Sequence, residues 1–83
     1  MAKTLNTKCG IYETEFTLTC HRDGTRTVRA PYIKWEGNSG CLAHRNVKVG
    51  AEHAGFIDAC FEQDDREAAF DLNQRLQLIQ SRP

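Results

Sequence analysis

An alternation of side chains near the N-terminus constrains the fold of this chain more than any other feature. In residues 12–20, aromatic, aliphatic, threonine and cysteine side chains alternate with glutamate and threonine. This period of two predicts a β-strand with one buried face. The turn at residues 22–24 ends in Gly24, which supplies the positive φ of a three-residue hairpin loop. That loop predicts the pairs Leu18 with Val28, Phe16 with Ala30 and Thr14 with Tyr32.

Two further patterns complete the predicted fold. Residues 41–49 alternate again and predict a third strand after an exposed turn at residues 35–40, although Arg45 interrupts its apolar face. The period becomes helical after Ala51, and the apolar positions of two helices are Phe56, Ile57, Cys60 and Phe61, then Ala69, Leu72, Leu76 and Ile79. Asp64, three residues before Glu67, predicts the cap of the second helix, which ends near Gln80. The order β-β-β-α-α predicts an α+β fold, a three-stranded antiparallel sheet packed against two C-terminal helices.

The length of 83 residues limits the chain to one compact domain, residues 1–83. Residues 1–8 are polar, and no apolar run has the length of a signal peptide or a membrane span. We therefore expect a soluble protein of the cytoplasm, with its cysteines reduced.

Cysteine and histidine raise the question of a metal site. The four cysteines and three histidines include Cys20-His21 and Cys41-x-x-His44. Structural zinc needs four converging ligands, whereas residues one or three apart on a strand point to opposite faces. The spacing therefore favours cysteines that act as small buried hydrophobic residues, with a zinc-stabilised module as the alternative. No nucleophile motif or catalytic constellation is present, so we expect neither an enzyme nor a bound cofactor.

The formal net charge of zero conceals a separation of charge. Residues 1–50 carry eight basic and four acidic side chains, a net of +4, and residues 51–83 carry three basic and seven acidic side chains, a net of −4. A helix-turn-helix would bring the acidic segment to DNA phosphates, which disfavours that interpretation. The basic hairpin is the better candidate for contact with nucleic acid or with an acidic protein groove.

The candidate partner-binding residues follow from this map. They are Arg22, Arg26, Arg29, Lys34 and Trp35 in the basic half, and Asp64, Asp65 and Glu67 in the acidic half. Each has a simpler structural alternative. Arg29 can pair with Glu15 on a solvated hairpin, Trp35 can close the end of the core, and the acids can form a solvated helix face. If the hairpin is a free binding surface, charge reversal at Arg26 and Arg29 weakens partner binding and leaves thermal stability nearly unchanged.

The layout resembles that of small phage-encoded anti-CRISPR proteins, in particular inhibitors of the type I-F surveillance complex. The likeness lies in the short chain, the strand GIYETEFTLTC, the turn HRDGTRTVRAPYIKW and the tail DDREAAFDLNQRL. It implies a non-enzymatic inhibitor in the host cytoplasm that docks on the crRNA-guided complex and blocks target DNA binding. The acidic helices would then rest on Lys/Arg-rich backbone subunits, while the basic hairpin approaches either crRNA or the acidic margins of the basic channel. The alternative is a small nucleic-acid-binding accessory or regulatory protein that uses the basic hairpin.

Overall fold

Four strands precede two helices in the computed structural model, which describes residues 2–80. The elements are β1 (Ala2–Cys9), β2 (Tyr12–Cys20), β3 (Arg26–Glu36), β4 (Ser39–Val49), a single 3₁₀ turn (Ala51–His53), α1 (Ala54–Gln63) and α2 (Arg66–Gln80). The strands form an antiparallel meander in the order β1-β2-β3-β4. The predicted α+β fold with two C-terminal helices is confirmed, but the prediction of three strands is wrong.

The additional strand, β1, comes from the polar N-terminal segment. Its register places Leu5 opposite Phe16, and Leu5 is fully buried. Gly10 at φ +62° and Ile11 form the two-residue loop to β2, with glycine at the position that requires positive φ. The sequence pattern missed β1 because Leu5 is the one large apolar residue on its buried face, too few to establish a period of two.

The loop between β2 and β3 has the predicted length. Leu18 pairs with Val28, and His21 and Thr25 close a three-residue loop in which Gly24 adopts φ +90°. The loop from β3 to β4 is shorter than predicted, because Glu36 pairs with Ser39. Trp35 and Gly40, predicted to lie in an exposed turn, therefore lie in the strands.

One face of the sheet, here called the inner face, packs against both helices. Its buried residues are Leu5, Phe16, Leu18, Val28, Ala30, Val47 and Val49. The helices contribute Ile57, Cys60, Phe61, Ala68, Ala69, Leu72 and Leu76, with Ile79 packed partly buried beside them. The predicted stripes are thus confirmed except at Phe56, which lies at the surface beneath the guanidinium of Arg75, 4.2 Å from its ring centroid.

The sheet divides beyond its centre. The ladder between β2 and β3 spans only residues 17–20 and 26–29, so the predicted pairs of Phe16 with Ala30 and Thr14 with Tyr32 do not form. Pro31 has no N–H to extend this ladder. The paired strands β3 and β4 continue without β2 over residues 30–45, here called the distal hairpin. Thr14 instead contacts the distal hairpin through its side chain, with Oγ1 3.1 Å from Nε2 of His44.

The junction of the two helices corrects the predicted cap. Asp64 ends α1 in the left-handed conformation, at φ 51°, and its N–H bonds to the carbonyl oxygen of Cys60. The residue that caps α2 is Asp65, whose Oδ1 accepts the N–H of Ala68 at 2.8 Å. Because α2 begins at Arg66, Asp65 is the residue directly before the helix, and its side chain reaches the N–H of the third helical residue, Ala68.

Candidate docking surfaces

The eight predicted site residues do not form one site. Arg22 and Arg26 lie at the loop between β2 and β3, whereas Lys34 and Trp35 lie at the other end of β3. A strand rises about 3.3 Å per residue, so Arg26 and Trp35 are about 30 Å apart. The three acids Asp64, Asp65 and Glu67 group at the junction of the helices. Three separate surfaces therefore carry the predicted residues.

Arg26 is engaged inside the fold. Its Nε and Nη2 donate to the two carboxylate oxygens of Asp58 on α1, each at 3.1 Å, and Nη1 donates to the carbonyl oxygens of Gly24 and Thr25. This bidentate pair raises the pKa of the Arg26 guanidinium, and its side chain is 17% exposed. In contrast to the expectation of a free hairpin arginine, Arg26 joins the sheet to α1.

Lys3 forms a second contact between the charged halves. Its Nζ lies 3.7 Å from a carboxylate oxygen of Glu62 on α1, and both side chains are well exposed. The separation of charge along the sequence thus serves partly to attach the helices to the sheet. Exposed ion pairs contribute little to stability, so we expect the pair of Lys3 and Glu62 to stabilise the fold less than the pair of Arg26 and Asp58.

Arg22 and Arg29 remain exposed to solvent. Neither forms an ion pair with another residue in the described part of the chain, so the alternative pairing of Arg29 with Glu15 is not made. Beside Arg22, hydrogen bonds from the hydroxyl and the N–H of Thr25 lower the pKa of Asp23 below its ordinary value. Asp23 is thus satisfied within the loop, and the two arginines are available to a partner.

The side chain of Trp35 is exposed and packs over Gly40 of the neighbouring strand. Its indole is 69% exposed, so it does not close the core. It lies opposite Gly40 in the ladder, and a methyl group on Gly40 would be 3.0 Å from Cζ3 of Trp35 and from Cγ2 of Ile33. The ring covers the glycine of the neighbouring strand, an arrangement that holds an aromatic side chain in place on a sheet. Lys34 points to the other face of the sheet, and its Nζ lies 3.8 Å from Oε1 of Glu36.

The helix junction forms an acidic corner, defined by Asp64, Asp65, Glu67, Phe70 and Asp71. The N–H of Ala68 and the amide of Gln63 lower the pKa of Asp65, which is therefore committed to capping. Phe70 is 62% exposed beside these acids and Arg66, and sequence reasoning missed it. Its position outside the apolar stripe of α2 was the available signal.

A cleft of about 1200 Å³ opens where β2 separates from the distal hairpin. Its walls include Glu13 and Glu15 from β2, Arg29 and His44 from the other side, and Asp65 from the helix junction. The cleft is open to solvent and its lining mixes both signs of charge. It therefore favours no one class of ligand.

The four thiols are dispersed, since Cys9, Cys20 and Cys41 lie on three different strands and Cys60 lies on α1. All four cysteines are free, and only Cys60 is buried, where burial raises the pKa of its thiol. Cys20 and Cys41 are exposed, contrary to the expectation that the cysteines are buried. Across residues 2–80, no three side chains of histidine, cysteine, aspartate or glutamate are placed to hold a metal ion.

Comparisons of this chain with protein-family models, with curated proteins and with solved structures found no match. In the part of the chain that the structure describes, neither helix is long and apolar enough to cross a membrane. Function is therefore inferred from the geometry and charge of the surfaces above.

Proposed function

We propose that this protein is a non-enzymatic inhibitor that docks on a crRNA-guided type I surveillance complex and blocks target DNA binding. The observation that carries docking is Trp35, a large aromatic side chain that is 69% exposed and seated on Gly40. Buried tryptophan anchors dominate the energy of many protein interfaces. A ring already held in place loses little conformational freedom on binding, which favours affinity.

The acidic corner supports a partner that holds nucleic acid. Asp64, Glu67 and Asp71 are exposed and form no ion pair with another described residue, and the exposed Phe70 and one cation, Arg66, lie beside them. Acids around an aromatic ring complement a Lys/Arg-rich surface, because the carboxylates attract the cations and the ring accepts them on its face. The backbone subunits of a surveillance complex present such a surface. The choice of this partner comes from the resemblance of the sequence to type I-F anti-CRISPR proteins.

The mechanism we propose is steric. The sheet and helices form a body of 41 × 30 × 21 Å, which is large enough to cover a channel that accommodates a nucleic-acid duplex. No covalent step is involved. Inhibition would follow the fraction of complexes occupied, so it would be stoichiometric.

The test uses the purified type I-F surveillance complex and a labelled target duplex. The protein is expected to bind the complex and to abolish the mobility shift of the duplex at stoichiometric amounts. Trp35→Ala is expected to weaken binding at least about tenfold, the effect of losing an anchor residue. Leu78→Ala, which truncates a side chain 65% exposed on α2, is the matched control and should leave the affinity unchanged.

Two results would overturn the proposal: absence of binding to the complex, or unchanged affinity of a folded Trp35→Ala variant. The alternative function, a nucleic-acid-binding accessory protein, is favoured by the unpaired Arg22 and Arg29. It predicts that free nucleic acid binds at least as tightly as the complex. Measuring both affinities at the same salt concentration separates the two functions.

A further inference from the structure

The face of the sheet turned away from the helices, here called the outer face, is uncovered at the end nearest the loop between β2 and β3. The register places its side chains in two rows across the strands. The first row is Thr4, Thr17, Arg29 and Asn46, and the second is Thr19, Thr27 and Lys48. These seven residues, here called the outer patch, are exposed or half-buried.

The outer patch is basic and contains no acid. Arg29 and Lys48 occupy diagonal positions on neighbouring strands, because Arg29 pairs with Asn46 and Thr27 pairs with Lys48. Diagonal side chains are about 7–8 Å apart, so two long cations can contact the same phosphate or neighbouring ones. Neither forms an ion pair with any other described residue.

The acids near the patch form no ion pair with its cations, including Glu13 and Asp65, which line the same cleft as Arg29. Asp23 lies near Lys48, but its carboxylate accepts both hydrogen bonds of Thr25. Glu15 is diagonal to Arg29 on β2 and forms no ion pair with it. His21, with Nε2 2.6 Å from the hydroxyl oxygen of Thr27, adds a further polar group at the edge. The patch therefore presents positive charge surrounded by hydroxyl and amide groups.

We propose that the outer patch binds the sugar–phosphate backbone of a single-stranded nucleic acid. Phosphates are contacted in proteins by arginine, lysine, threonine and asparagine, the residue types that make up the patch. An apolar anchor of the kind that protein interfaces use is missing from these seven residues. Charge complementarity thus favours a polyanion over a protein surface.

The shape of the patch favours an extended ligand. It crosses four strands, about 15 Å at the usual strand spacing, on an open face. A flexible single strand can follow a twisted sheet, and basic surfaces of this kind track the backbone while aromatic rings stack on bases. Trp35 lies on the same face of β3 as Arg29, about 20 Å along the strand, since the two are six residues apart.

The test measures fluorescence anisotropy of labelled oligo-deoxythymidine and oligo-uridine over salt concentrations from about 50 to about 200 mM. Both oligonucleotides should bind with the same salt dependence, because their backbone charge is the same. Arg29→Gln combined with Lys48→Gln should weaken binding by about tenfold and reduce the salt slope by between about 1 and 2. Glu15→Gln should strengthen binding, because it removes a carboxylate beside Arg29.

The matched control is Arg66→Gln combined with Arg75→Gln, which removes the same charge from α2 and should leave binding unchanged. If both double variants weakened oligonucleotide binding equally, the effect would be one of net charge, and the assignment of the binding site to the outer patch would be wrong. Failure of the protein to bind either oligonucleotide, or tighter binding of a duplex, would also overturn it. This inference is independent of the proposed inhibitor function. Docking is tested with the surveillance complex and Trp35→Ala, whereas the outer patch is tested with oligonucleotides and the variant of Arg29 and Lys48.

Discussion

Two arginines of the same strand, Arg26 and Arg29, have different structural roles although they are three residues apart. Residues at odd spacing on a strand point to opposite faces, so Arg26 faces the helices and Arg29 faces solvent. Arg26 meets Asp58 because α1 packs across the inner face. The charge pattern of the sequence shows both residues as basic hairpin positions. The partner of Arg26 lies 32 residues away along the chain, which no local pattern reveals.

Replacement of Arg26 should therefore destabilise the protein, unlike replacement of Arg29. Arg26→Ala removes four hydrogen bonds and leaves Asp58 without its cation, so we expect its melting temperature to fall by several degrees. Arg29→Ala is the matched control and should melt at the wild-type temperature. Thermal unfolding followed by circular dichroism measures both. Equal melting temperatures of the two variants would contradict the structural role of Arg26, and Asp58→Ala should add little to Arg26→Ala.

Asp65 makes stability depend on pH. Its pKa is lowered in the fold by the N–H of Ala68 and the amide of Gln63, so its contribution is present above the ordinary value of 3.8 and is lost as the pH falls through the lowered pKa. Asp65→Asn keeps a good cap without a titrating group. Urea unfolding at about pH 7 and about pH 3 should therefore show a smaller loss of stability in Asp65→Asn than in the wild type. The same loss in both proteins would mean that Asp65 does not titrate differently in the two states.

At the scale of elements, β1 turns the predicted three-stranded sheet into a four-stranded one. Its sequence is polar, and only pairing with β2 places Leu5 under α1 and α2, against Phe16. The distal hairpin shows the reverse case. The alternation of residues 41–49 predicts a strand, although Arg45 interrupts its apolar face. In the structure that end of the inner face is not covered by helices, and the guanidinium of Arg45 lies 5.6 Å from the ring centroid of Tyr32.

The role of β1 can be tested by truncating its one buried leucine. Leu5→Ala should lower the free energy of unfolding by about 2–5 kcal/mol, the range for a leucine removed from a core. Leu78→Ala removes the same atoms from an exposed site and should cost less than about 0.5 kcal/mol. Urea denaturation measures both. A cost below about 1 kcal/mol for Leu5→Ala would mean that β1 does not complete the core.

At the scale of the whole molecule, the fold has a covered end and an uncovered end. Near the loop between β2 and β3, all four strands are paired and the helices cover the inner face. Most of the distal hairpin is not paired with β2, and its residues 31–45 do not belong to the core that the helices cover. The exposed Trp35 lies at this uncovered end, whereas the outer patch lies on the fully paired part of the sheet. The two proposed binding surfaces therefore differ in how fully the strands beneath them are paired and covered.

Native-state hydrogen exchange should show this difference. Amides of residues 26–29 and 46–49 are expected to exchange only with global unfolding, because their strands are paired within the covered part of the sheet. The hydrogen-bonded amides of residues 32–43 should exchange by a local opening at a lower free energy. Measurement by nuclear magnetic resonance at increasing denaturant separates local from global opening. One common opening free energy for both groups would contradict the division.

The sequence by itself determined the class of fold, the length of the loop between β2 and β3, and the apolar stripes of both helices. These features depend on the spacing of residues that are close along the chain, such as Phe16 and Leu18 or Leu72 and Leu76. It also determined the separation of charge, because the basic and acidic residues of each half can be counted in the sequence. Only the tertiary structure decided that the N-terminal segment is a strand, that Arg26 is bound to Asp58 while Arg29 is free, and that Trp35 is exposed. Each of these depends on which surfaces the helices cover, and contacts between segments distant in the chain leave no periodic signal in either segment.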